Sequence, residues 1–199
     1  MIGPAVEQEV AALYRAQRAP ELVDVPTLGF LTIDGVGDPN SSERFPQVVQ
    51  ALFAVSYAIK FALKRSGGPV YRVSPLECLW TAGDFTGGGK STWTWTAMVR
   101  QPEAVSVEHV ECAARDVAQK KRSPLATELT LTSYAEGLSA QVLHVGPYAD
   151  EGPTIERLHE FIREQGMTLR GRHHEIYLGD PRRASSERLR TIVRQPVTQ

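Results

Sequence analysis

The feature that most constrains this chain is an internal repeat. A hydrophobic residue followed by Val-Arg-Gln-Pro occurs at Met98–Pro102 and again at Ile192–Pro196, 94 positions apart in a chain of 199 residues. Around each occurrence, the apolar and turn residues predict the same order of elements: a strand, a long helix and two strands, the last of which carries the repeated residues. We therefore interpret the chain as a duplicated βαββ unit. One such unit cannot bury its apolar face alone, so the two copies are expected to pack together.

The first copy is predicted over about residues 27–105. Its first strand begins at Thr27 and ends in a turn rich in glycine. A helix follows, with Ser41 or Ser42 as its cap. Stretches 70–82 and 92–102 are predicted to be strands. The helix has five apolar residues at helical spacing, namely Val48, Leu52, Val55, Ile59 and Leu63.

The second copy is predicted over about residues 138–199, after a connecting helix and strand at about 106–137. Ser106 starts the connecting helix and is expected to supply only the cap half of a capping box. Two separate strands are predicted on either side of Glu136-Gly137. The copy is completed by an amphipathic helix and by two strands, "RHHEIYLGDP" and "TIVRQPV". Residues 1–26 are predicted to be a leader segment before a single domain at 27–199.

The composition is that of an ordinary globular protein, with 42% hydrophobic residues, 23% charged residues and a net charge of −1. This balance gives no electrostatic reason to bind nucleic acid or an anionic membrane. No apolar run reaches the length of a membrane span, and the start of the chain lacks a signal pattern, so we expect a cytoplasmic protein. Cys78 and Cys112 have no CxxC spacing and are predicted to be free thiols.

Seven motifs, in this order, resemble the GyrI-like small-molecule-binding family. They are "IDGVGDPN", "SYAIKF", "PLECLW", "WTWTAMVRQP", "HVGPYADE", "HHEIYLGDPRR" and "TIVRQPV". The resemblance spans about residues 20–199. It implies an α+β fold in which duplicated βαββ modules, related by a pseudo-twofold axis, form one antiparallel sheet with helices packed on it. It also implies a central groove for amphiphilic, often cationic or aromatic, compounds.

A branch of this family of similar length includes hydrolases that open the cyclopropane ring of DNA-alkylating natural products. The chain departs from the family pattern after "PLE". There the family has glycine and then Leu-Trp-Trp, whereas this chain has Cys78 in place of the glycine and Thr81 in place of the second tryptophan. We expect this departure to change the shape of the groove wall.

Glu175 is the first candidate catalytic residue. Strand alternation places His173, Glu175 and Tyr177 on one face. A carboxylate there could neutralise a ligand cation, act as a general base, or pair with an arginine at the sheet edge. The resemblance favours a position in the groove, with Tyr177 and His173 as ligand-binding residues.

Glu77 is the second candidate catalytic residue, as the counterpart of Glu175 in the first copy. Two nearby carboxyl groups push their pKa values apart, so that one can hold a proton while the other accepts one. The alternative is that Glu77 points outward into solvent. Aromatic candidates for the groove wall are Trp80, Trp93 and Trp95, with core packing as the alternative, and more weakly Tyr57 and Tyr148, for which ordinary core or loop packing is the alternative.

Other motifs are excluded. "GGGKST" lacks the spacing of a phosphate-binding loop and leads into a strand, and neighbouring strand residues such as His173 and His174 face opposite ways, so no metal site or cofactor is predicted. Three functions remain: a hydrolase of electrophilic planar compounds, a protein that binds amphiphilic compounds without turnover, and an inhibitor of a partner protein. The sequence favours the first. The partner is predicted to be an aromatic or cationic small molecule, with no nucleic acid and no membrane.

Overall fold

The structure is a computed structural model that describes residues 10–81, 92–121 and 123–199. The chain divides into two compact units, which we describe separately. The central unit comprises residues 28–134. The terminal unit comprises the described residues up to Thr27 together with residues 135–199.

The central unit contains the first βαββ copy. Strand β3 pairs antiparallel with β1 on one side and with β2 on the other, which gives the order β1-β3-β2. A second helix and a short 3-10 helix follow β3. The elements are β1 (Glu21–Val36, whose first residues belong to the terminal unit), α1 (Arg44–Arg65), β2 (Leu76–Thr81), β3 (Thr94–Gln101), α2 (Val107–Lys121) and the 3-10 helix Pro124–Glu128.

Helix α1 forms as its sequence predicts. Ser42 Oγ accepts hydrogen bonds from the backbone N–H groups of Arg44 and Phe45, at 3.2 and 3.3 Å, and so caps the first turn. The five predicted apolar residues are at most 4% exposed. The helix ends before Gly67, which has a φ of 77°. Among the described helices, α1 alone has the length and composition of a membrane span, a test that the core helix of a globular protein also passes.

The two faces of the central sheet differ. On the face covered by α1, the ring of Trp95 lies 5.0 Å from that of Phe45, and Gln101 Nε2 donates to Ser56 Oγ at 3.0 Å. The opposite face carries a separate apolar cluster of Phe30, Leu79 and Met98. Alternate residues of each strand therefore meet different surroundings.

The terminal unit contains the second βαββ copy. Strand β7 pairs antiparallel with β4 and with β6, so the order β4-β7-β6 repeats that of the central unit, and a short β5 pairs with the end of β7. The elements are β4 (Thr130–Val145, which begins in the central unit), the 3-10 helix Tyr148–Asp150, α3 (Gly152–Glu164), β5 (Thr168–Leu169), β6 (His173–Tyr177), the 3-10 helix Ser186–Arg188 and β7 (Arg190–Thr198).

Helix α3 covers one face of the strands of the terminal unit. Its Leu158 and Ile162 pack against Ala140 and Val142 of β4 and against Val193 and Val197 of β7. Each unit thus contributes antiparallel strands with a helix packed on one face, which confirms the α+β class and the duplicated order of elements. Both features could be predicted because the helices have apolar residues at helical spacing and the strands alternate apolar and polar residues.

Several predicted boundaries were wrong. Strand β1 begins at Glu21, so the last part of the predicted leader is strand. Strand β4 is continuous. Gly137 lies inside it with a φ of 70°, which glycine adopts at little cost, and the strand continues beyond it. Strand β2 begins only at Leu76. Ser106 forms a reciprocal cap after all, since its backbone N–H donates to His109 Nδ1 at 3.1 Å. The glycine-rich "GGGKS" lies outside the described residues.

The segment before β1 is bound to the terminal sheet by hydrogen bonds to its carbonyl groups. Leu13 O accepts from Arg194 Nη2 at 2.6 Å, and Gln17 O accepts from the Leu143 N–H at 2.7 Å. Arg194 is 2% exposed and also bonds Glu136 Oε2 at 3.2 Å, while Glu136 Oε1 bonds His174 Nδ1 at 2.9 Å. A buried ionic network on the sheet face away from α3 therefore holds this segment.

Candidate active site

Glu175 lies on the face of β6 that is covered by α3, in line with two of its predicted neighbours. His173 Nε2 lies 3.2 Å from Glu175 Oε1, and the Tyr177 hydroxyl donates to Glu175 Oε2 at 2.5 Å. His173 is 4% exposed. The predicted alternation of β6 is confirmed, because all three side chains meet on one face. Both oxygens of the carboxylate are thus fixed by neighbours on the same strand.

A second carboxyl group, Glu151, lies against Glu175 and Thr191. It is 5% exposed and stands at the N-terminal end of α3. Sequence reasoning missed this residue, although it ends the motif "HVGPYADE". The available signal was an acidic residue directly before a helix that has proline in its first turn. Such residues usually face solvent, so the sequence alone did not favour a catalytic role.

The two carboxyl groups have pKa values shifted in opposite directions. Burial first, and then the negative charge of Glu175, raise the pKa of Glu151 to about 9. Burial also opposes ionisation of Glu175, but the hydrogen bond and charge of His173, with hydrogen bonds from Tyr177 and Glu151, outweigh it and lower the Glu175 pKa. At neutral pH, Glu151 is therefore a protonated acid and Glu175 an ionised base.

Two tyrosines stand beside the carboxyl pair. The rings of Tyr148 and Tyr177 meet edge to face, with centroids 5.3 Å apart. Burial, followed by the charges of Glu151, Glu175 and Asp180, raises the pKa of Tyr148 to about 12. Tyr148 therefore keeps its proton and can donate a hydrogen bond. It is 36% exposed, so its ring forms a partly open wall of the site.

The turn between β4 and α3 positions Tyr148 and Glu151. His144 Nδ1 lies 3.1 Å from Thr154 Oγ1, and His144 Nε2 lies 3.1 Å from the Pro147 carbonyl. Gly146, inside this turn, has a φ of 141°, which other residues rarely adopt. The motif "HVGP" thus fixes the approach of the helix to the strand that carries Glu175.

Two buried polar atoms around the site have no hydrogen-bond partner among the described residues: Glu151 Oε1 and His159 Nε2. Burial first, and then the charges of His173 and Arg163, lower the pKa of His159. Unsatisfied buried atoms are rare and cost roughly 1–3 kcal/mol each. Their position beside an acid–base pair suits groups that bond a substrate or its attacking water.

Glu77 is buried, at 2% exposure, which rules out the outward orientation weighed for it. The prediction that it is the counterpart of Glu175 was wrong. Glu77 pairs with Met98, whereas Glu175 pairs with Val193, which repeats Val99. The two glutamates are offset by one register position. Glu175 faces the helix of its own unit, and Glu77 faces away from α1, so the catalytic role predicted for Glu77 stays a prediction.

The tryptophans belong to the central unit. Trp80 and Trp93 meet edge to face at 5.8 Å. Trp95, opposite Trp80 in the register and 1% exposed, is a core residue whose indole N–H donates to the Gly37 carbonyl at 3.2 Å. A ligand role for Trp80 and Trp93 stays a prediction.

Tyr57 lies on the exposed side of α1. It is 45% exposed, and its ring stacks on that of Phe61 at 6.3 Å. The core packing weighed for it is therefore wrong, and its predicted ligand role stays a prediction. Over the part of the chain that the structure describes, no three His, Cys, Asp or Glu side chains are placed to hold a metal ion.

Comparison with known proteins places the chain in a family. It belongs to the GyrI-like small molecule binding domain family, whose model matches residues 18–197. A crystal structure of a hydrolase from Listeria innocua is 34% identical, with a TM-score of 0.85, covering 96% of this chain and 98% of the other. An uncharacterized conserved protein from Listeria innocua is 35% identical over the same shares, with a TM-score of 0.88.

The EcmrR C-terminal domain, at 10% identity, covers 90% of this chain and 97% of the other with a TM-score of 0.59, and so shares the fold. None of the curated proteins matches the chain.

Proposed function

We propose that this protein is a hydrolase that binds amphiphilic aromatic compounds and adds water to an electrophilic one. The observation that carries the proposal is the contact between the buried carboxyl group of Glu151 and the partly buried carboxylate of Glu175, whose pKa values are shifted in opposite directions. Such a pair supplies a base and an acid at the same pH. The similarity to a Listeria innocua hydrolase over nearly the whole chain supports the same class of reaction.

The substrate class that we propose is a DNA-alkylating natural product with a strained cyclopropane ring joined to a conjugated carbonyl group. Glu175 removes a proton from water as the water oxygen bonds a ring carbon. The ring C–C bond breaks, and its electron pair moves to the carbonyl oxygen, where Glu151 donates its proton. Because the two groups are in contact, the proton on Glu175 then returns to Glu151, and both groups regain their starting states. The hydrolysed compound can no longer alkylate DNA, which would protect the cell.

The other candidate function is binding without turnover, which the description of the family as a small molecule binding domain favours. In that case Glu175 is only a counter-ion for a cationic ligand, supported by the rings of Tyr148 and Tyr177. The two functions differ in what happens to the ligand. A hydrolase releases a product that contains one added water, and a binding protein releases the intact compound.

The test is incubation with a cyclopropane-containing alkylator in water labelled with oxygen-18, followed by mass spectrometry. We expect one labelled oxygen in the product. Glu175→Gln and Glu151→Gln should each slow its formation about 10²- to 10⁴-fold, because each removes one proton-transfer partner. Glu156→Gln, on the exposed side of α3, is the matched control. Recovery of intact, unlabelled compound from the unaltered protein would refute turnover and support the binding function.

A further inference from the structure

A groove of about 380 Å³ lies on the terminal unit, on the sheet face opposite the carboxyl pair. Its lining comes partly from the segment before β1 and partly from the sheet. The lining residues are Tyr14, Arg15, Ala16, Leu143, Leu178 and Arg190. We propose that this groove is a second binding site and that it takes an amphiphilic organic anion. This proposal concerns a different site and does not depend on the hydrolase function.

Hydrogen bonds to the sheet fix the segment before β1, which forms one wall of the groove. Arg15 O accepts from Gln141 Nε2 at 3.1 Å, between the two carbonyl contacts that Leu13 and Gln17 make to the sheet. The segment is therefore fixed at every second residue along the groove. A preformed groove loses little conformational entropy when a ligand enters. Its volume lies at the lower end of the range for small-molecule pockets, about 300–1,000 Å³.

The charge of the groove determines the kind of ligand. Arg15 and Arg190 are both exposed, and neither guanidinium forms an ion pair or a hydrogen bond with another described residue. An unpaired guanidinium presents several N–H donors in a plane, which suits a carboxylate or a phosphate. A hydrophobic floor is formed by Leu143 and Leu178. Positive charge beside an apolar floor complements an aromatic ring that carries an anionic group.

The position of the groove connects it to the carboxyl pair through shared strands. Leu178 directly follows Tyr177, and Arg190 directly precedes Thr191, and adjacent strand residues face opposite sides of a sheet. Tyr177 and Thr191 contact the carboxyl pair, while their neighbours line the groove. An anion that moves Leu178 or Arg190 would therefore also move a residue of the candidate active site.

The test is titration with 2-naphthoate, 2-naphthyl phosphate and the neutral 2-naphthamide, followed by ¹H–¹⁵N spectra that include the arginine Nε–H signals. We expect both anions to shift the signals of Arg15 and Arg190, and the amide to bind about tenfold more weakly. Comparison of the two anions ranks carboxylate against phosphate as the preferred head group. Arg15→Gln and Arg190→Gln should each weaken binding about two- to fivefold, and the double variant about tenfold, since each exposed ion pair contributes modestly to binding.

Two controls separate this site from the candidate active site. Arg18→Gln, an exposed arginine of the same segment that does not line the groove, should bind the anions normally. Glu175→Gln should also keep anion binding, whatever its effect on hydrolysis. Equal affinity for the amide and the anions, unchanged binding by the double variant, or loss of binding in Glu175→Gln would each overturn the proposal.

Discussion

Replacement of Glu151 by glutamine should change the pH dependence of stability in a way that identifies the protonated carboxyl group. In the unfolded chain a glutamate has a pKa near 4.5, and in the folded protein the pKa of Glu151 is raised to about 9. Between these values the folded protein holds a proton that the unfolded chain has lost. Stability must therefore fall as the pH rises through this window.

The size of the effect follows from the linkage relation. Each pH unit inside the window is worth about 1.36 kcal/mol, so from pH 5 to pH 8 the group costs about 4 kcal/mol of unfolding free energy. Glu175, with its lowered pKa, is ionised in both states over most of this range and adds little to the slope. Glutamine at position 151 keeps the shape and the neutral charge but does not titrate.

The assay is urea denaturation, followed by tryptophan fluorescence at pH 5, 6.5 and 8. We expect Glu151→Gln to gain about 4 kcal/mol relative to the unaltered protein between the two extremes. Glu156→Gln, on the exposed side of the same helix, should follow the unaltered protein at each pH. If the stabilities of Glu151→Gln and the unaltered protein run parallel within about 1 kcal/mol, Glu151 is ionised at neutral pH. The acid–base assignment would then be wrong.

Three further changes test other parts of the structure. Tyr177→Phe removes a donor that lowers the pKa of Glu175, so the acidic limb of the kcat/KM profile should move up by about one pH unit. Arg194→Met leaves Glu136 and His174 buried without their cation, which should cost about 3–5 kcal/mol in denaturation experiments and speed trypsin cleavage near Arg15. Gly35→Ala would place its Cβ 2.1 Å from the indole of Trp95, and should lower the melting temperature by at least about 5 °C.

Matched substitutions control the last two changes. Arg163→Met removes an exposed arginine of α3 and should leave both stability and cleavage unchanged. Gly29→Ala adds the same methyl group to the same strand, where the nearest atom is 3.9 Å away. Equal losses for the two alanine variants would show that strand flexibility, and not the close approach of the indole, sets the cost.

Much of the fold could be predicted from the sequence because it depends on short-range periodicity. The stripe from Val48 to Leu63 identified α1, and the alternation in "HHEIY" placed His173, Glu175 and Tyr177 on one face. The boundaries that failed, at Glu21 and at Gly137, depend on pairing with distant strands. Local propensity does not report such pairing.

Only one member of the acid–base pair, Glu175, could be predicted from the sequence. Its contact with Glu151 depends on how the chain turns between distant elements. Glu151 reaches Glu175 because the turn after β4 aims the start of α3 at β6, which no spacing along the chain reveals. Glu77 was misassigned for a related reason. Met98 pairs with Glu77, 21 positions before it, whereas Ile192, which repeats Met98, pairs with Ile176, 16 positions before it, and the difference of five is odd. Counting along the chain therefore could not give the face of the sheet.

The carbonyl of Leu13 accepts its hydrogen bond from Arg194, which is 181 positions later in the chain and is therefore synthesised much later. During translation the contiguous stretch 28–134 can complete its own contacts, while the residues before it stay without their sheet until the last strand leaves the ribosome. The segment 10–20, although it is made early, is thus among the last parts of the described chain to become ordered. A truncation that removes only the final strand would remove Arg194 and so release the segment 10–20 from the sheet.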